Sequence, residues 1–486
     1  MLFRRIEDSK LAQYAYLIGC QKTGEAIVFD PERDIDRYIE AAAREGLKIV
    51  AAAETHIHAD FLSGARELAE RVGAHVYVGG EGGPDWQSRW AKPYKHTLLK
   101  DGDTFKIGNI RFKAMHTPGH TPEHVSYLVY DAVGGNEVPI GLLTGDFVFV
   151  GDLGRPDLLE SAAGMKGIAE PSAHQLFRSV QKLQSVPDYV QVWPAHGAGS
   201  ACGKALGAVP QSTIGYEKAV SHALKLRGDE AAFVKDILSG QPEPPPYFAR
   251  MKALNRDGVP VLGKLPVPEV VTDLRTRAAE WEKPGTVVLD TRPWAAFRDG
   301  HLPGALTLPL GKMLPMVLGS YVKPEERIVL VCEPAMAEEL VRDFVRIGYD
   351  HIVAVVPPSA VAAAPRLEKT PEMTVEQAQA AMADAAVLDV RGATEFEAGA
   401  IEGAHNLPYT RLMPRLAEVP RGGRVLVHCA LGGRSAAATA MLRRLGYDAV
   451  NVAGGFEAWK RAGLATIVPT PVGAGASCCG GGGCCG

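Results

Sequence analysis

Glu54-Thr55-His56-Ile57-His58-Ala59-Asp60-Phe61 decides how the first half of this chain is read. Two histidines two residues apart, then an aspartate two further on, follow the apolar run Ile49 to Ala53. A turn leaving a strand with that spacing directs several ligand atoms inward, which is what a metal site needs. Phe61, next in line, cannot ligate a metal.

At 486 residues the chain is too long for one core, and about 150 residues per domain predicts about three domains. With 46% apolar and 22% charged residues and a formal net charge of −4, it is globular in composition and has no basic excess. That balance excludes nucleic acid and anionic membrane as expected partners and leaves small molecules. The N-terminus acquires charge before any apolar run. Ile352 to Ala364 is too short to span a bilayer and is interrupted at Pro357-Pro358, so a cytoplasmic chain is expected. Of eight cysteines, Cys20, Cys202, Cys332 and Cys429 stand alone, and Cys478, Cys479, Cys484 and Cys485 crowd the C-terminus. This is no disulfide framework, and reduced, reactive thiols are expected.

Along the chain, β-rich runs alternate with helical patterns up to about residue 240. Phe105 to Met115 predicts a hairpin turning at Gly108-Asn109, Val125 to Asp131 a strand, and Ser172 to Gln184 and Tyr216 to Leu226 helices. Gln241-Pro242-Glu243-Pro244-Pro245-Pro246 then marks a boundary, since proline cannot continue a helix. Beyond it lies an internal repeat. Val288-Leu289-Asp290-Thr291-Arg292 matches Val387-Leu388-Asp389-Val390-Arg391, Arg327 to Cys332 matches Arg424 to Cys429, and Ile347 to Asp350 matches Leu445 to Asp448. Each copy alternates short apolar runs with helical segments, as an open parallel sheet does. Pro357 to Pro371 links the copies. The tail from Pro469 is glycine, alanine and cysteine with almost nothing to bury, and is expected to be disordered.

In the second copy, His428-Cys429-Ala430-Leu431-Gly432-Gly433-Arg434-Ser435 places a thiol between an apolar strand and a helical pattern. Backbone N–H groups of such a loop, the helix N-terminus and Arg434 favour a thiolate, which makes Cys429 a candidate nucleophile. In the first copy, Cys332 is followed by Glu333-Pro334-Ala335-Met336-Ala337-Glu338, without glycine or arginine. Glu333 opposes a thiolate and Pro334 removes a donor, so Cys332 is expected to be a core residue.

The N-terminal signature, with Thr117-Pro118-Gly119-His120-Thr121, Leu143-Thr144-Gly145-Asp146 and Trp193-Pro194-Ala195-His196-Gly197 in order, resembles the metallo-β-lactamase fold. Its usual last histidine is Phe61 here. Within that fold the resemblance is to persulfide dioxygenases, and the Cys429 loop, with Asp389, Arg391 and Gly403-Ala404, resembles rhodanese. Cys-dependent phosphatases place five residues between cysteine and arginine. The four here favour sulfur over phosphate. The resemblance implies an αββα sandwich over residues 1–245, a degenerate rhodanese-like α/β domain over 260–357, a rhodanese domain over 372–466, both with parallel sheets, and a flexible tail over 467–486.

It also implies one mononuclear Fe(II) per chain, held by His56, His120 and Asp146, with O₂ as co-substrate. Three protein ligands on a redox-active metal leave positions for sulfur and O₂, whereas zinc serves hydrolysis. His58, Asp60 and His196 then orient ligands or substrate, since Phe61 removes the third partner that Asp60 and His196 would need for a second metal. Arg155, in Gly151 to Asp157, either pairs with a substrate carboxylate or phosphate or forms a local salt bridge. Gly432, Gly433 and Ser435 hold the transferred sulfur beside Cys429 and Arg434. Cys202, in a glycine-rich loop near Lys204, is a candidate persulfide carrier, and Cys20 is expected to be buried. The tail cysteines read as low-complexity sequence or a soft-metal scavenger.

The implied reaction oxidises a low-molecular-weight thiol persulfide, of glutathione, coenzyme A or similar, to sulfite. Cys429 then passes a sulfane sulfur to sulfite, giving thiosulfate. Two rivals stand beside it: a glyoxalase II-like hydrolase with two metals, and a sulfur carrier in which the metal domain is regulatory. Homo-oligomerisation is left open by the sequence.

Overall fold

Gln13–Cys20 is buried along its whole length, which a strand tolerates only when both of its faces are covered. In the computed structural model, which describes residues 1–132, 135, 137–161 and 164–469, it lies in a six-stranded sheet. Leu2–Asp8, Gln13–Cys20, Glu25–Phe29, Lys48–Ala53, His75–Gly79 and His96–Leu99 follow one another across that sheet, antiparallel at first and parallel from Glu25–Phe29 onward. A second six-stranded sheet runs Ser212–Thr213, Gln191–Pro194, Gly141–Gly145, Val125–Asp131, Ile110–His116 and Thr104–Ile107. The hairpin turns at Gly108-Asn109, with Ile107 opposite Ile110, as the alternation predicts.

Tyr16, Ile18, Phe29, Phe112, Tyr127 and Trp193 fill the space between the sheets. Tyr38 and Leu68 pack outside the first sheet, and Leu176, Val180, Phe233 and Ile237 outside the second. The result is the expected αββα sandwich. The segment read as one helix from Tyr216 is two, Ile214–Val220 and His222–Lys225, separated at Ser221, whose φ and ψ are extended.

Two five-stranded parallel sheets follow. The first runs Glu269–Val270, Ile352–Val356, Arg327–Val331, Thr286–Asp290 and Leu306–Thr307, and the second runs Glu372–Met373, Asp448–Val452, Arg424–His428, Ala385–Asp389 and His405–Asn406. The order is the same in both, as the repeat predicts.

Compact packing divides the chain between Lys369 and Thr370, so the first rhodanese-like copy shares a unit with the sandwich. Arg346, nearly buried, reaches Asp8 at 2.7 Å and Asp34 at 2.7 and 2.9 Å, and Lys10 reaches Asp343 at 2.5 Å. Removing one partner from such buried pairs costs about 3–5 kcal/mol, which holds this copy in register. In the stretch between the two expected domains, after the proline run, lies a further helix, Phe248–Asp257. Its Arg250 donates to the Ile347 carbonyl at 2.8 Å and the Gly348 carbonyl at 3.3 Å. No helix among the described residues is long and apolar enough to cross a membrane. Cys478, Cys479, Cys484 and Cys485 lie outside the described residues.

Candidate metal centre and thiol site

His56 follows the strand Lys48–Ala53, His120 sits in the loop before Val125–Asp131, and Asp146 follows Gly141–Gly145. Their ligand atoms converge within 4.8 Å of one another, and all three residues are buried. Asp146 Oδ2 lies 3.4 Å from His120 Nε2 and 3.9 Å from His56 Nε2.

The hydrogen bonds behind the rings fix which nitrogen is free. His120 Nδ1 faces the Arg155 carbonyl at 2.9 Å, an acceptor only, so Nδ1 carries the proton and Nε2 presents its lone pair. Thr55 Oγ1 donates to Asp30 at 3.0 Å and therefore accepts from His56 Nδ1 at 2.9 Å, with the same result. His196 Nδ1 faces the Ala12 carbonyl at 3.2 Å, so a third Nε2 lone pair enters the pocket. Burial holds His56 and His120 well below the usual imidazole range and pushes Asp146 and Asp60 up to about 6. Among the described residues, both carboxylate oxygens of Asp146 and of Asp60, and His196 Nε2, make no hydrogen bond. Buried acceptors aimed at a common point and left unsatisfied fit a cation.

A second donor set adjoins the first. Asp60, His196 and Cys202 also converge within 4.8 Å, and His196 Nε2 lies 3.4 Å from both Asp60 Oδ2 and Asp146 Oδ1. Where Phe61 offers no ligand atom, Cys202 brings a third potential one to Asp60 and His196. Phe61 is fully buried, its ring 4.4 Å from that of His58. Cys202 lacks the access and free cation that a reactive thiol needs. It is buried, Lys204 is spent on Asp236, and burial, with Asp146 and Asp60, raises the thiol well above its ordinary range.

His58 turns away from the pocket. Its Nε2 lies 3.1 Å from both Asp30 and Glu54, and although burial would lower its pKa, those carboxylates hold it well above the ordinary value. Of the two readings of Arg155, the structure shows the local salt bridge. It forks onto Asp157 at 2.6 and 2.9 Å and donates to the Ala201 and Pro242 carbonyls and to Ser161. Its donors are committed, and it serves the pocket through the carbonyl that orients His120.

Sequence reasoning missed several contributors. The Asp146 N–H donates to His124 Nε2 at 3.1 Å, and burial lowers His124 to about 3, so the ring stays neutral. Gly145 has φ +51°, and a Cβ there would stand 2.6 Å from Thr55. Asn255, from the helix after the proline run, donates to the His58 and Phe61 carbonyls at 2.8 and 2.7 Å and accepts from the Ser63 N–H. The available signal was the stripe Phe248, Met251, Lys252, Asn255 at helical spacing, all buried.

In the second unit Cys429 follows Arg424–His428 and precedes the helix Gly433–Arg444. Its Sγ accepts from the Gly432 N–H at 3.1 Å and from Ser435 Oγ at 3.5 Å. Gly432 has φ +100°, and a Cβ on Gly455 would stand 2.3 Å from the Cys429 carbonyl. Gly433 opens the helix. Arg434 forks onto Glu395 at 2.6 and 2.7 Å, which fixes its guanidinium. Cys332 is buried, and burial followed by Glu333 pushes its thiol up to about 11. Cys20 is buried at a strand end.

The Metallo-beta-lactamase superfamily matches residues 9–196, and the Rhodanese-like domain matches residues 274–357 and 374–462. A hydroxyacylglutathione hydrolase from Gloeobacter violaceus is 32% identical over 197 residues, 40% of this chain and 68% of that protein. One from Methylococcus capsulatus is 28% identical, over 54% of this chain and 93% of that protein. The crystal structure of a metallo-beta-lactamase from Staphylococcus aureus subsp. aureus COL is 40% identical, with a TM-score of 0.65 over 74% of this chain and 99% of that one.

Proposed function

The chain belongs to the metallo-beta-lactamase superfamily and carries two rhodanese-like domains, and from that premise we propose that it is an iron-dependent persulfide dioxygenase coupled to sulfur transfer. One observation carries the reading: a two-histidine, one-carboxylate donor set occurs in the same chain as a thiol cradled by N–H and O–H donors. His56, His120 and Asp146 would hold Fe(II), which supplies O₂ activation when bound. The residues around it do the rest. Thr55 and the Arg155 carbonyl keep both Nε2 atoms unprotonated, and His124 fixes the Asp146 backbone.

The first reaction takes RSSH, O₂ and H₂O to RSH, sulfite and two protons. The terminal sulfur loses four electrons, and O₂ gains them. In the second, Cys429 takes the outer sulfur of another RSSH, releasing RSH, and gives it to sulfite; the Cys429 S–S bond breaks, a new S–S bond forms in thiosulfate, and Cys429 leaves as the thiol. The Gly432 N–H and Ser435 Oγ–H stabilise the leaving sulfur. The substrate is a low-molecular-weight thiol persulfide, with glutathione and coenzyme A as the carriers to test first.

The hydrolytic reading has its own support in the Asp60, His196 and Cys202 donor set and in relatives named hydroxyacylglutathione hydrolase. Metal counting with an oxygen electrode separates the two. One iron per chain with O₂ uptake on glutathione or coenzyme A persulfide is expected, and two zinc ions with thioester hydrolysis and no O₂ uptake would replace the dioxygenase. Asp146→Ala should abolish metal retention and O₂ uptake while Cys429 still transfers sulfur to added sulfite. Retained O₂ uptake would show that the ligand set is wrong.

A further inference from the structure

Asp60 belongs to the second donor set, yet among the described residues neither of its buried carboxylate oxygens makes a hydrogen bond. His196, 3.4 Å from Oδ2, presents a lone pair to it, since its proton is on Nδ1. His56 and His120 are each held at Nδ1 by an acceptor behind the ring. Asp60 has no such support, so the backbone on either side decides where its carboxylate stands.

That backbone is pinned in two parts. Up to Ile57 it is tied within the sandwich: the Thr55 N–H donates to Asp30 at 2.7 Å and the Ile57 N–H to Glu123 at 2.8 Å. From His58 to Ser63 it is tied to later segments. Asn255 Nδ2 donates to the His58 carbonyl at 2.8 Å and the Phe61 carbonyl at 2.7 Å, and its Oδ1 accepts from the Ser63 N–H at 2.9 Å. Two carbonyls and one N–H admit a single orientation of that amide. The Leu62 N–H donates at 2.7 Å to the carbonyl of Arg346, which ends the helix Ala337–Arg346 of the first rhodanese-like copy. Arg250 joins these two anchors. It lies on the helix of Asn255 and donates to the carbonyls of Ile347 and Gly348, the residues that follow Arg346. Gly348 has φ +76°, and a Cβ there would stand 3.1 Å from both Arg250 Nη1 and Leu62 Cδ1.

We propose that Asn255 is the positioning residue of Asp60, and that the first rhodanese-like copy, through the Arg346 carbonyl and Arg250, is thereby built into the metal pocket. Four backbone groups within six residues are satisfied from outside the sandwich. They fix the backbone around Asp60 and leave both carboxylate oxygens for a cation or a bound substrate. The copy that lacks the glycine turn thus contributes to a reaction without supplying a reacting group. Its role is the same whether the pocket oxidises a persulfide or hydrolyses a thioester.

The test is anaerobic cobalt(II) binding to the full chain after metal removal, followed by visible absorption. Asn255→Ala should weaken cobalt(II) roughly 10-fold, as losing a group that orients a ligand does, and should shift the absorption bands. Asp60→Ala should do the same. In an Asp60→Ala background, Asn255→Ala should then change the affinity by less than about twofold, because the group it positions is gone. Arg250→Met keeps most of the bulk of its side chain and should act in the same direction by roughly fivefold. Should Asn255→Ala not fold, Arg250→Met takes its place in the cycle. A loss that persists in full without Asp60 would mark Asn255 as structural only and overturn the proposal. So would parent-like cobalt(II) binding in Asn255→Ala, in Asp60→Ala or in Arg250→Met. O₂ uptake with persulfide is read separately, and its absence from the parent would sink the dioxygenase reading without touching the role of Asn255.

Discussion

The two rhodanese-like copies share one scaffold and differ in the loop that follows the cysteine. In the first, Arg292 forks onto Asp290 at 2.7 and 3.0 Å and donates to the Gly300 carbonyl at 2.8 Å. In the second, Arg391 forks onto Asp389 at 2.6 and 3.0 Å and donates to the Gly399 carbonyl at 2.7 Å. Strand order is the same. After the cysteine the copies part: Gly432 in the left-handed region turns an N–H onto Cys429, whereas Pro334 has none to turn and Glu333 sets a negative charge beside Cys332. The scaffold is thus kept by a buried ion pair and an apolar sheet, and the chemistry is confined to a loop. The copy without the glycine turn keeps the scaffold and packs against the sandwich through Arg346.

The strongest way to break this contrast is to exchange serine for each cysteine. Cys429→Ser should lower thiosulfate formation by roughly 100-fold or more, because no other group in that loop is a nucleophile. Cys332→Ser should leave it within about twofold, being a change within a core. Thiosulfate production from persulfide and sulfite measures both, and comparable losses would end the distinction. Next in size is a graft of the Ala430 to Arg434 sequence in place of Glu333 to Ala337. Alkylation of Cys332 at neutral pH should speed up roughly tenfold as its thiol falls from about 11 toward the ordinary range.

The shared scaffold is tested by removing the arginines. Arg391→Met should destabilise its domain by about 3 kcal/mol, since it strands a fully buried Asp389. Arg292 is more exposed, and Arg292→Met should cost less. Urea unfolding followed by alkylation of Cys429 or Cys332 reads each domain separately, and equal costs would deny the burial difference. The smallest effect is expected from Glu333→Ala alone. It should lower the Cys332 thiol only slightly, because burial outranks Glu333 among the causes of its shift. A pH profile of alkylation that moved into the neutral range would show that charge, not burial, keeps this copy silent.

Much of the fold was legible because its signals are local. Alternation around Gly108-Asn109 gave the hairpin, the repeated Asp-x-Arg and cysteine segments gave two matching sheets, and the glycine loop at Cys429 gave a cradled thiol. His56, His120 and Asp146 could be set together from their motifs, and they do converge. The two readings of Arg155 could not be separated, because whether a guanidinium is free depends on which acceptors surround it. That the fork of Arg434 is held by Glu395, 39 residues earlier, was not legible for the same reason.

What the sequence determined by itself was the kind of chemistry available: ligand-bearing loops after strands, one thiol in a glycine turn, and a sister thiol without one. Only the tertiary structure decided that Cys202 joins Asp60 and His196, and that a helix beyond a proline run brings Asn255 to the turn carrying His58 and Phe61. Those groups meet through packing between segments as much as 197 residues apart. Local periodicity specifies which face of an element is buried, but not what it is buried against, and the pocket is made of that second fact.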